Sequence, residues 1–277
     1  MLNAECAHPM KNTRIAIFGA AGRMGRSMVS NLADFPELSL AAAVEAPGSP
    51  FLGRDAGELA GVAPLGVPVT DDAEAAVAGC DLAIDFTFHT AVPEHAALAR
   101  RHRRALLVGT TALTAEERAA VLAVGEVAPV LIASNMSVGV NVLEALVRRA
   151  AAALGPGFDV EVVEMHHRHK KDAPSGTALT LAKAAAEGRG LDLDAVARYG
   201  REGVTGERPA DEIAIHALRG GDVVGDHDVT FAADGELVRL SHRATSRSCL
   251  SRGALRAACW LAAQPAGVHT IAESLGL

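Results

Sequence analysis

The feature that most restricts how this chain can fold is Arg14-Ile15-Ala16-Ile17-Phe18 running directly into Gly19-Ala20-Ala21-Gly22-Arg23-Met24-Gly25. The first five residues read as a short buried strand, and the apolar positions that follow, through Met28 and Leu32, predict a helix. Glycines in the turn let the backbone approach a pyrophosphate. The first N–H groups of the helix have no intrahelical partners and face its charge. The spacing is GxxGxxG, with Ala21 where the commoner GxGxxG has its second glycine. Glycines often mark a plain turn; the strand before and the helix after give this one a dinucleotide-binding reading.

Residues 38–44 read as a second strand ending at Glu45, 20 positions beyond Gly25, where an acid accepts hydrogen bonds from adenosine ribose hydroxyls. Alternation continues: strands near 67–69, at 81–86, 105–108 and 130–133, with helices at 90–103 and 115–124. Such repeats build a parallel sheet whose ligands lie beyond the strand C-termini. Phe86-Thr87, Gly109-Thr110-Thr111 and Ala133-Ser134-Asn135-Met136 fall at those ends and are expected to line the nicotinamide half of the cofactor. The expected class is α/β, a Rossmann-like doubly wound parallel sheet over residues 1–136, completed by residues 247–277, whose Ala-rich helix at 249–263 packs back on it. A second α+β domain spans 137–246: helices at 138–154 and 176–187, a strand at 158–166, and antiparallel strands at 213–218, 222–231 and 236–242. Arg219-Gly220-Gly221 and Ala233-Asp234-Gly235 suit hairpin turns, and residues 191–211 read as a long loop.

The stretch from Glu164 to Ala178 carries the chemistry. It places three histidines, an arginine and two lysines in the six residues from His166 to Lys171, within a chain of net charge -7. Residues 158–165 alternate, with Val160 and Val162 on one face and Asp159 and Glu161 on the other, while Pro174-Ser175-Gly176-Thr177 opens a helix. A cationic loop between a strand end and a helix N-terminus suits a small anion with several carboxylates. A metal site on His166, His167 and His169 is the rival, but neighbouring strand residues point to opposite sides and no Cys or carboxylate sits at a usual ligand spacing, so no metal is expected. The acidic balance and 3% aromatic content argue against nucleic acid. Cys6, Cys80, Cys249 and Cys259 form no CxxC and read as reduced. Charges such as Glu126 and Glu144 interrupt every apolar run, and residues 1–13 read as a loose tail with an alternative start at Met10. Neither a membrane span nor a signal peptide is expected, which suggests the cytoplasm.

The run Glu164-Met165-His166-His167-Arg168-His169-Lys170 with Asp172-Ala173-Pro174-Ser175-Gly176-Thr177-Ala178 resembles the active-site signature of the dihydrodipicolinate reductase family. The likeness extends to the Gly19–Gly25 turn, Asp55-Ala56-Gly57-Glu58-Leu59, Asp85-Phe86-Thr87, Gly109-Thr110-Thr111, Ser137-Val138-Gly139-Val140-Asn141, Arg201-Glu202-Gly203 with Gly206-Glu207-Arg208, and Gly225-Asp226-His227. The resemblance implies hydride transfer from NADH or NADPH to C4 of a cyclic unsaturated dicarboxylate in the diaminopimelate route to lysine. It also implies a cytoplasmic homotetramer assembled through the second domain. His166 matches the general acid/base position and Lys170 a second proton donor; His167, Ser175, Gly176 and Thr177 match the substrate-binding segment. Gly19, Ala20, Ala21, Gly22, Arg23, Met24, Glu45, Gly109, Thr110, Thr111, Ala133, Ser134, Asn135 and Met136 match the cofactor side. Family members often carry a basic residue after the acid at Glu45, and some an arginine at the position of Phe88. Here Ala46 and Phe88 are uncharged, so NADH is expected to serve at least as well as NADPH. A dehydrogenase for a semialdehyde or hydroxy acid would ordinarily show a catalytic Cys or another His–carboxylate pair. A nucleotide-sensing regulator would have no use for His166 and Lys170.

Overall fold

A computed structural model describes residues 12–277; the readings of the tail before Asn12 and of Cys6 lie outside the described residues. In chain order the first unit contains β1 (Thr13–Phe18), α1 (Arg23–Asn31), β2 (Leu38–Val44), α2 (Ala56–Ala60), β3 (Val69–Thr70), α3 (Ala73–Gly79), β4 (Leu82–Asp85), α4 (Val92–His102), β5 (Ala105–Val108), α5 (Ala115–Leu122) and β6 (Pro129–Ile132). The second contains α6 (Val138–Leu154), β7 (Asp159–His166), α7 (Gly176–Gly188), α8 (Leu193–Val196), β8 (Ala197–Tyr199), β9 (Ile213–Arg219), β10 (Gly225–Ala233) and β11 (Glu236–Ala244). The chain then returns to the first unit from Leu250, within α9 (Ser248–Leu261), and adds β12 (Gly267–His269).

The first sheet has the order β12-β6-β5-β4-β1-β2-β3, and every pairing is parallel. Both of its faces are covered. Ile15 and Ile17 face a core containing Met28 of α1 with Ala254, Leu255 and Leu261 of α9, while Ala16 and Phe18 face one containing Val77, Val92 and Leu98. Burial on both sides is why these strands are apolar without alternation. The order reverses between β1 and β4, which places a crevice at their C-terminal ends. Asp55 is structural: its carboxylate caps α2 through Gly57 and Glu58 and also accepts from the N–H groups of Leu65, Gly66 and Val67.

The second sheet has the order β11-β10-β7-β9-β8. Val160, Val162, Ile213, Ile215, Val229 and Phe231 share a core with α6 and α7. Three sequence expectations are corrected here. Strand β9 runs parallel to β7, because α7 carries the chain back before β8 and residues 200–212 carry it back again before β9; only β10 pairs antiparallel with its neighbours β7 and β11. Arg219-Gly220-Gly221 is therefore no hairpin turn: Gly220 N–H donates to the His166 carbonyl at 3.0 Å, and Gly221 accepts from Arg168. Residues 191–211 are not one long loop but include α8 and β8, the latter parallel to β9. The remainder is tied down by Arg201 and Arg208, both hydrogen-bonded to Glu161. Burial opposes ionisation of Glu161, but the bonds from Arg201, His216 and Arg208 outweigh it and hold the carboxyl down at about 2. The Asp234-Gly235 turn does join β10 to β11, with Gly235 at φ +86. Strand β12 lacked any sequence expectation.

Candidate active site

In the first unit the expected cofactor residues lie at the C-terminal edge of the parallel sheet. Gly19 has φ +75, and a Cβ there would come 3.0 Å from the Phe86 carbonyl oxygen. Ala20 and Ala21 are buried, Met24 is half-buried, and Gly22 and Arg23 are exposed. Gly22 is the N-cap of α1, with no side-chain cap and no acidic residue in the first turn. An uncapped helix start with bare glycine backbone in front of it fits a dinucleotide pyrophosphate. Glu45 follows β2 and accepts a hydrogen bond from Ala21 N–H at 2.7 Å, which holds its carboxylate against the turn. A Cβ on Gly109 would overlap the Phe86 ring, so glycine lets the loops after β4 and β5 close together. Thr110 is buried and Thr111 exposed. After β6, Ala133 is half-buried and Ser134 exposed; Asn135 caps Ser137 N–H at 2.9 Å. Met136 is buried, and α9 packs so closely on its carbonyl that Gly253 has no room for a side chain.

In the second unit the histidine run leaves the end of β7. Residues 160, 162 and 164 share one face of that strand, so the third member of an inward series is a carboxylate, Glu164, which is fully buried. Four donors reach it. His166 Nδ1 lies 2.6 Å from Oε2; Arg219 reaches both oxygens, at 2.8 and 2.9 Å; Ser175 N–H donates to Oε1 at 2.9 Å. Burial opposes ionisation, but the bonds from Arg219, His166 and Ser175 outweigh it and hold the carboxyl below its ordinary value. The anionic partner makes His166 Nδ1 the protonated nitrogen and leaves Nε2 for chemistry. Nε2 has space because residue 225 is glycine; a Cβ there would come within 3.0 Å of it.

Lys170 donates to both oxygens of Asp172, at 2.8 and 2.9 Å. Ser175 is buried, and its polar groups are engaged within the protein. Its N–H goes to Glu164; its hydroxyl accepts from Ala178 N–H as the cap of α7 and pairs with His227 Nε2 at 3.2 Å. Gly176, exposed, has open space where a side chain would stand. Thr177 is half-buried in the first turn. His167 Nε2 is 3.3 Å from Arg247; desolvation and that cation lower its pKa. His227 lies edge-on to His166, ring centroids 5.2 Å apart, and burial with His166 close by pushes it down to about 4, so it is neutral.

The structure thus brings His166, Lys170, Ser175, Gly176 and Thr177 around one loop and helix start. It adds Glu164, Arg219, His227 and Gly225, which carried no assigned role in the sequence reading. Among the described residues no group of three or more His, Cys, Asp and Glu is placed to hold a metal ion, and no helix is long and apolar enough to cross a membrane.

Comparison with known proteins gives a consistent result. The family profile described as "Dihydrodipicolinate reductase, N-terminus" matches residues 13–136, and "Dihydrodipicolinate reductase, C-terminus" matches residues 139–275. The 4-hydroxy-tetrahydrodipicolinate reductase of Anaeromyxobacter dehalogenans strain 2CP-1 is 51% identical over 266 residues, covering 96% of this chain and 98% of its own. That of Ruegeria pomeroyi is 49% identical over 263 residues, covering 95% and 98%. Among solved structures, the dipicolinate-bound dihydrodipicolinate reductase of Paenisporosarcina sp. TG-14 superposes with a TM-score of 0.76 at 25% identity, over 95% of this chain and 99% of that one. GenD2 from gentamicin A biosynthesis, solved in complex with NAD, shares the fold alone, with a TM-score of 0.55 at 16% identity over 87% and 75% of the two chains. With both halves matched and half the residues identical over nearly the full length, the chain belongs to the dihydrodipicolinate reductase family.

Proposed function

We propose that the reductase reaction of this family runs in this chain on the loop between β7 and α7, with His166 as proton donor and Lys170 as the cation that grips the substrate. The reaction is the NAD(P)H-dependent reduction of 4-hydroxy-tetrahydrodipicolinate to tetrahydrodipicolinate, a step of diaminopimelate and lysine biosynthesis. The observation that carries the assignment is His166 Nδ1 held 2.6 Å from the fully buried carboxylate of Glu164. The 4-hydroxyl leaves with a neighbouring ring proton as water, which conjugates a ring C=C bond with the imine; reduced nicotinamide, when bound, would supply the hydride to C4 of that system. The chain must supply the proton that quenches the resulting charge, and an imidazolium fixed by a carboxylate on one nitrogen is oriented to give it from the other. Lys170 turns its ammonium from Asp172 toward a substrate carboxylate and stabilises developing negative charge. His167, Gly176 and Thr177 complete the anion site through imidazole and helix-start N–H groups. Ser175 belongs to this segment as a brace between Glu164, α7 and His227.

The first unit, with its C-terminal return, holds the cofactor. Glu45 favours the free ribose hydroxyls of NADH and repels a 2′-phosphate, and neither Ala46 nor Phe88 offers a compensating charge. The second unit is the substrate-binding and assembly domain. Helices α6 and α7 cover one face of its sheet; the other carries the exposed Leu218 and Leu237, which supports a homotetramer assembled through that face. The cytoplasm is the expected location.

His166→Gln tests the reading. Turnover, followed by nicotinamide absorbance with freshly made substrate, should fall about 10²–10³-fold while NADH affinity stays near wild type. Full turnover in that variant would sink the assignment. Light scattering at micromolar protein tests the tetramer.

A further inference from the structure

Strand β4 is buried throughout, and its residues Leu82, Ala83 and Ile84 show what the sheet requires there. Its last residue, Asp85, has a carboxylate with no exposure at all. Taking a carboxylate out of water costs several kcal/mol unless donors replace the water. The donors come from three places. Thr87 provides its N–H at 2.8 Å and its hydroxyl at 2.7 Å, both to Oδ1. Thr110 reaches the same oxygen at 3.4 Å, and His95 Nδ1 on α4 lies 2.7 Å from Oδ2. The loops are cross-tied as well: the Thr110 hydroxyl is 3.1 Å from the Thr87 carbonyl, and Gly109 N–H donates to the Asp85 carbonyl at 2.9 Å. His95 is braced by the Phe18 ring, with centroids 4.2 Å apart. A leucine would satisfy the sheet equally well. The carboxylate's effect is to remove freedom from the loops after β4 and β5 at the edge where the parallel strands end.

We propose that Asp85 is a positioning residue for the cofactor, joining the Phe86-Thr87 and Gly109-Thr110 loops into one ledge for the nicotinamide half, with His95 holding the carboxylate's second oxygen. This rests on reading those loops as the nicotinamide edge. Asp85→Asn keeps the volume but turns an amide N–H toward groups that are themselves donors. Thr110→Val removes the hydroxyl that reaches Asp85 Oδ1 and the Thr87 carbonyl, and His95→Gln removes the imidazole at Oδ2; both leave the carboxylate. The dissociation constant of NADH, read from its fluorescence on binding, is measured with kcat, both KM values and the thermal midpoint. In Asp85→Asn the NADH dissociation constant and KM should rise about ten-fold or more, while KM for the dicarboxylate and kcat at saturating NADH stay near wild type. His95→Gln and Thr110→Val should move in the same direction by less. A lowered midpoint with wild-type NADH affinity, measured well below melting, would show a purely structural role and overturn the proposal. If Asp85→Asn does not fold, wild-type NADH affinity in both of the other variants overturns it equally. Wild-type protein that binds no NADH would instead refute the cofactor reading itself, and the ledge with it.

Discussion

Replacing Glu164 with glutamine separates what its charge does from what its volume does. His166 Nδ1 and Arg219 Nη1 converge on Oε2, at 2.6 and 2.8 Å, and Ser175 N–H and Arg219 Nη2 on Oε1, both at 2.9 Å. Glutamine supplies one oxygen and sets an NH2 against two of these four donors, whichever way the amide faces. It also leaves the Arg219 guanidinium without its counter-charge. Breaking one side of a buried ion pair costs about 3–5 kcal/mol. Arg219 retains 21% side-chain exposure, so the lower end, ~3 kcal/mol, is expected. For catalysis the relevant loss is the charge-assisted bond to His166, about 1.5–3 kcal/mol, or about 10- to 150-fold in rate. The assay is kcat at saturating NADH and substrate, with thermal melting alongside. At neutral pH kcat should fall by that factor. KM for NADH should not move. Adding Arg219→Met removes the orphaned cation and should return much of the stability without the rate. A wild-type kcat in Glu164→Gln would refute the reasoning, as would full recovery of rate in the double variant.

Three further outcomes follow from the same geometry. His227, pushed down to about 4 by burial and by His166, stays neutral where an unfolded histidine begins to protonate near pH 6.5. The unfolded chain then binds more protons, so stability should fall by about 3 kcal/mol as pH drops from ~6.5 to ~4, and urea melts of His227→Gln should lack that part of the slope. Gly109→Ala drives a methyl into the Phe86 ring; it should cost about 1–3 kcal/mol and raise KM for NADH, and an unchanged KM would separate the packing from the cofactor edge. Ala46→Arg should raise kcat/KM for NADPH about ten-fold or more and leave NADH nearly unchanged, whereas a wild-type preference for NADPH would mean that Arg23 or another cation already fills the role.

What could be read in the sequence follows from which interactions are local. Strands β2 and β5 coincide with the segments that predict them; β5, buried at every position, is a solid apolar run bounded by turn residues. Strand β12 has three residues, Gly267–His269, and exists because the edge of β6 accepts it; three residues cannot display a period. The direction of β9 is not legible in the sequence because alternation of two is the same for parallel and antiparallel strands, and the returns through α7 and through residues 200–212 decide between them. The histidine run and the helix start were legible since they lie in one stretch. Arg219 and His227 were not, since both reach the site from strands about fifty residues further along. Glu164 did leave a signal: it continues the series Val160, Val162 on the inward face, and a carboxylate at an apolar position is the kind of inconsistency that marks function.

Asp85 and Glu164 answer the same problem in two separate units. Each is a carboxylate with no solvent exposure, near the end of a strand whose inward residues are otherwise aliphatic. Neither needs to touch a ligand to affect one. A buried anion is tolerated only when donors surround it, and in both cases the donors sit at or just beyond the ends of elements: Thr87 and Thr110 in the loops after β4 and β5, and His166 and Arg219 at the ends of β7 and β9 with Ser175 at the start of α7. The unfavourable burial of the charge and the ordering of the loops are therefore one event, and its result is a set of polar groups that need little reorganisation when charge develops nearby. Asp55, which takes five backbone N–H groups at the start of α2, supplies the contrast. Its donors are all main chain, and it orders a connection rather than a reactive side chain.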